Sequence, residues 1–103
     1  MKITELNILS KLYKVLYKDS MIEVDADKRE NLFGSYDPLT RTIRVYQKGR
    51  GKPDIIETIF HEMIHAICVE LSIEIDEKEV NNLGNVLADT LIRNSLINPK
   101  LLK

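Results

Sequence analysis

The stretch that decides the fold is IFHEMIHAI, residues 59–67. It carries both histidines of the chain, His61 and His65, four residues apart, with Glu62 beside the first. Residues four apart stand one turn apart on the same side of an α-helix, so the two imidazoles can turn ring nitrogens toward one point. Working outward, the apolar residues Ile55, Ile56, Ile59, Phe60, Met63, Ile64, Ile67 and Leu71 fill one half of a helical wheel, and both histidines fall on the other half. Pro53 suits the first turn of such a helix, where its missing N–H is no loss. The pattern predicts a helix over residues 53–72.

Two imidazoles at this spacing, with a glutamate between them, form the H-E-x-x-H pattern of a divalent-metal site. His61 and His65 are the expected ligands. Glu62 lies about 100° round the helix from His61, where it misses the ion but reaches a water held there. A catalytic zinc site takes three protein ligands and keeps one position open. The chain has no third histidine. Cys68, three residues past His65, is expected to pack near the site as a small buried hydrophobe.

The third ligand is sought on a second helix, expected over residues 77–96, with Val80, Leu83, Val86, Leu87 and Leu91 as its stripe. If that stripe faces the first helix, Glu79 points inward and is the expected ligand. Glu77 and Asp76 remain alternatives. A competing role for Glu79 is local, because Asp76 with Glu79 three residues later is the signature of a helix capping box.

Upstream, L32-F-G-S-Y36 and T42-I-R-V-Y46 flank D37-P-L-T-R41. Asp-Pro opens a turn, and the second run alternates Ile43 and Val45 with Arg44 and Tyr46, so a β-hairpin is expected. Residues Ile3–Tyr17 fit either a helix or two strands by periodicity alone. Asp19–Asn31 is charged and reads as a surface connection, and residues 98–103 read as a tail after the Asn98-Pro99 break.

The segments F60-H-E-M-I-H-A66 and D76-E-K-E-V-N-N-L83 resemble the small zinc metallopeptidase-like proteins of the gluzincin type, a group that includes minimal gluzincins and short phage-encoded proteins. The resemblance implies an order of strands, active-site helix and glutamate helix. On that ground residues 7–15 are read as strands. The fold class is then α+β, minimal zincin-like: a small N-terminal antiparallel β-sheet over residues 1–47, the active-site helix, and a second packed helix, all in one domain spanning residues 1–103. The resemblance also implies zinc as cofactor, His61, His65 and most plausibly Glu79 as ligands, and Glu62 as general base on zinc-bound water. The implied function is hydrolysis of peptide bonds in an extended peptide or protein. Some small relatives are latent, which gives the alternative of a zinc-binding protein that acts through a protein partner. For the oxyanion, Tyr36, Tyr46 and Arg93 are candidate donors.

Composition limits the other classes. Apolar residues make up 44% of 103 positions and the formal charge is −1, with basic residues scattered apart from Lys48–Lys52, so no nucleic-acid-binding stripe stands out. The Gly49/Gly51 loop lacks a phosphate-cradle pattern. One cysteine excludes an internal disulfide framework. With no membrane-length apolar run and no signal-peptide core, a cytoplasmic location is expected, without membrane partners.

Overall fold

A computed structural model describes residues 2–20 and 33–98. Four strands precede two helices: β1 (Glu5–Ile8), β2 (Lys11–Lys18), β3 (Gly34–Asp37), β4 (Thr42–Tyr46), α1 (Lys52–Leu71) and α2 (Glu77–Arg93). This is the α+β arrangement of a minimal zincin-like fold. Apart from its first two residues, the connection expected at Asp19–Asn31 lies outside the described residues, as do Leu32 and the tail beyond Asn98.

The N-terminal segment forms two strands, not a helix. β1 and β2 pair antiparallel through a two-residue loop whose Leu9 and Ser10 both have positive φ, the geometry of a tight hairpin. β3 and β4 form the second antiparallel hairpin, and Asp37 Oδ1 accepts from the Leu39 N–H at 2.9 Å to fold its turn. The two hairpins join through a parallel β2–β4 pairing, giving the strand order β1-β2-β4-β3. The sheet is therefore mixed rather than wholly antiparallel. Asp37 encodes the second turn, whereas Leu9 and Ser10 are unusual residues for positive φ, and the way the hairpins join is a long-range choice that no turn residue encodes.

α1 lies between the sheet and α2. Toward the sheet, Ile59 packs with Val15, Ile43 and Val45, and Ala66 packs with Ile8 and Tyr13. Tyr13 donates to Glu70 Oε1 at 2.7 Å, and Lys11 pairs with Glu70 Oε2, so one α1 carboxylate ties down two residues of β2. Toward α2, Ile64 and Cys68 pack with Val80, the buried position expected for the cysteine.

The face that α2 presents to α1 keeps Val80 of the expected stripe and otherwise differs from it. Its buried residues are Val80, Gly84 and Ala88, whereas Leu83, Val86 and Leu87 are 48%, 64% and 42% exposed. Small residues win because they let the helix axes approach. A Cβ on Gly84 would lie 3.3 Å from His61 Cα and 3.4 Å from His61 N, tighter than ordinary contact. No helix among the described residues is long and apolar enough to cross a membrane.

Candidate metal centre

α1 presents His61 and His65 one turn apart, with ring centroids 5.1 Å apart. Ser72, in a left-handed conformation (φ 54°), ends the helix. The short connection to Asp76 then turns the chain back so that α2 starts beside both rings. Glu77, its first residue, reaches them with both carboxylate oxygens: Oε1 lies 2.6 Å from His61 Nε2 and Oε2 lies 3.0 Å from His65 Nε2. His61, His65 and Glu77 each offer a ligand atom, and these atoms lie within 4.8 Å of one another.

Glu79 does not join this cluster. Its backbone N–H donates to Asp76 Oδ1 at 2.8 Å, and its Oε1 accepts from the Asp76 N–H at 3.3 Å, completing the capping box. The expectation placed it inward by assuming that the leucine stripe faces α1. With Gly84 at the centre of the buried face, Glu77 lies about 20° from that centre and Glu79 about 140° away, at 100° per residue. The assignment of the inward carboxylate thus moves from Glu79 to Glu77, one of the alternatives, and Asp76 is held as the N-cap.

The three donors suit a divalent ion of zinc type. Two neutral imidazole nitrogens and one carboxylate oxygen are ligands that zinc accepts, with a fourth position left for water. Ligand atoms about 2 Å from a common ion at tetrahedral angles sit roughly 3.3 Å apart. The 2.6 and 3.0 Å separations are slightly closer. The Glu77 side chain is 61% exposed, so it has room to ease back.

Burial sets the electrostatics. His61 is 7% exposed, because α2 covers the half of α1 that the wheel leaves polar. Desolvation lowers its pKa, which favours the neutral, ligating form, although Glu77 acts the other way. Glu62 is 6% exposed, with its Oε2 3.9 Å from His61 Nε2. Burial, helped by the charge on Glu77, pushes its carboxyl up to about 8. Gly34 of β3 admits this side chain: a Cβ there would stand 2.6 Å from Thr58 Cγ2 and 3.1 Å from Glu62 Oε2. His61 and Glu62 form one side of a cleft of about 360 Å³, bounded also by Phe33 and Gly34 at β3 and by Asn81 and Asn85 of α2.

Other candidates fall elsewhere. Tyr36 packs against Tyr13 with ring centroids 6.0 Å apart, and Tyr46 stacks on Phe33. Arg93 pairs with Asp89 at 2.7 Å, at the opposite end of α2 from Glu77. None of the three lines the cleft. Gly34 and Gly84 were not singled out by sequence. A glycine inside a helical pattern, with Ala88 one turn later, was the available signal for a close helix approach. Comparison of the chain with protein-family models, with curated proteins and with solved structures gives no match.

Proposed function

We propose that the chain is a zinc-dependent peptide-bond hydrolase of gluzincin type, with His61, His65 and Glu77 as the metal ligands. The observation that carries this reading is the convergence of two helix-mounted imidazoles and a neighbouring carboxylate beside a buried glutamate. Zinc at these donors would supply Lewis acidity to the scissile carbonyl and lower the pKa of a water there.

The chain's own residues then carry the proton. Glu62 takes a proton from the attacking water and delivers it to the leaving amine nitrogen. Burial and Glu77 favour the protonated form of Glu62; a divalent cation held by His61, His65 and Glu77 would act in the opposite direction and favour the carboxylate needed for base work. β3 lies at the edge of the sheet, and its Gly34 approaches Glu62. An extended peptide adding to that edge passes over the general base.

The test is cleavage of a mixed peptide library by the zinc-loaded protein and by Glu62→Gln. Glu62→Gln is expected to lose at least about 100-fold in rate, the range for a general base, while holding wild-type zinc. Equal cleavage by both proteins would overturn the role of Glu62. No cleavage by the zinc-loaded wild type would select the alternative, a zinc-holding protein that works through a partner.

A further inference from the structure

The cleft beside His61 and Glu62 continues toward the start of α1, where Arg50, Asp54 and Glu57 line it. The one cation among them is committed to the protein. Arg50 Nη1 donates to the Tyr46 carbonyl at 2.8 Å, and Nη2 donates to the Asp54 carbonyl at 3.0 Å and to Thr58 Oγ1 at 2.6 Å. Its guanidinium also lies over the Phe33 ring, 4.6 Å from the centroid.

The carboxylates are held differently. Among the described residues, no basic side chain lies within ion-pair distance of Asp54 or Glu57, although the Arg50 charge interacts with both through space and offsets part of their field. Glu57, half-buried one turn before His61, is braced from α2. With the Asn85 amide oriented to satisfy both neighbours, its nitrogen donates to Glu57 Oε1 at 2.5 Å and to the Asn81 carbonyl at 3.1 Å. A fixed, partly desolvated carboxylate in a concave site attracts a cation more strongly than an exposed one. Glu62, more than nine-tenths buried and without a hydrogen bond among the described residues, lines the same cleft, so whatever enters lies beside the proposed reacting centre.

We propose that this cleft receives a lysine or arginine side chain next to the scissile bond, and that Glu57 is the residue that selects it. The apolar stem passes the Gly34 edge and Thr58, and the cationic head meets Glu57 (the snorkelling geometry of long basic side chains). The inference rests on the peptidase reading for its chemistry, but binding tests it separately.

The probes are end-blocked peptides identical except for one central Lys, Arg, Gln, Glu or Leu. Cleavage is followed with the zinc-loaded wild type and Glu57→Gln, and binding with the zinc-loaded Glu62→Gln protein and the double variant Glu62→Gln/Glu57→Gln. Glu57→Gln keeps an oxygen to accept from Asn85, and circular dichroism checks its fold. The expected result is that the Lys peptide is preferred over the Gln peptide about tenfold or more, in both cleavage and binding, and that Glu57→Gln removes most of this ratio. Glu57→Lys should reverse it toward the Glu peptide. Cleavage without a basic preference, or with one that Glu57→Gln leaves intact, overturns the subsite and spares the peptidase reading. Glu57-dependent binding of the Lys peptide without any cleavage upholds the subsite and sinks the peptidase reading. Neither cleavage nor Lys-dependent binding overturns both.

Discussion

At the residue scale, carboxylates of one chemical type do four jobs because their surroundings differ. Glu62 is buried beside another acid and its pKa rises. Glu79 spends its side chain on the backbone of Asp76. Glu77 faces two imidazoles. Glu70 takes hydrogen bonds from Lys11 and then Tyr13, which hold its carboxyl below the ordinary value. The sign of the Glu70 effect on stability follows from linkage. A folded-state pKa below the unfolded one contributes stability that is present above the unfolded value, near 4.5, and is lost as pH falls through the folded one. Urea unfolding between pH 7 and pH 3 should show the wild type losing stability on acidification more steeply than Glu70→Gln. Parallel curves would show that the Lys11–Glu70–Tyr13 contact is indifferent to ionisation. At this scale helix spacing alone foretold that the two histidines stand one turn apart on one helix with Glu62 beside the first. The sequence favoured Glu79 where the structure brings Glu77 to the histidines, because two carboxylates two residues apart exchange places according to which face of α2 is buried.

At the element scale, that choice of face is set by Gly84. Helix amphipathicity pointed to Val80, Leu83, Val86, Leu87 and Leu91 as the packing stripe; the structure buries Val80 as expected, but beside it Gly84 and Ala88 rather than Leu83, Val86 and Leu87. Periodicity registers where apolar side chains lie, but not the gain from bringing two backbones close. The β3–β4 hairpin was readable from Asp37-Pro38 and from the alternation at Ile43 and Val45; periodicity left the β1–β2 hairpin ambiguous with a helix, and the parallel β2–β4 junction depends on contacts across the whole sheet. Gly84→Leu must push α2 off His61, whose backbone lies within 3.4 Å of the added Cβ. The expected loss is about 1–3 kcal/mol of unfolding free energy, the usual cost of overpacking, together with weaker zinc binding. Chemical denaturation and zinc titration of the variant check both. Unchanged zinc affinity would mean that the seating of α2 on α1 does not position Glu77.

At the scale of the whole molecule, three layers do separate work. The sheet fixes α1 through Ile59 and Ala66, and its edge strand β3 brings Gly34 to Glu62. α1 carries the histidines and the proposed base, and α2 closes over the polar side of α1 to add Glu77. The cluster therefore needs both helices, and metal binding should be coupled to their packing. The most direct test is zinc titration of the wild type, Glu77→Ala and Glu79→Ala by calorimetry, with helix content followed in parallel. The account predicts one zinc per chain for the wild type and for Glu79→Ala, the latter losing only about 1 kcal/mol of stability with its capping box. It predicts that Glu77→Ala weakens zinc binding by more than the roughly 10–100-fold typical of groups that merely orient a ligand. Wild-type zinc affinity in Glu77→Ala, or loss of zinc from a still-helical Glu79→Ala, would contradict it.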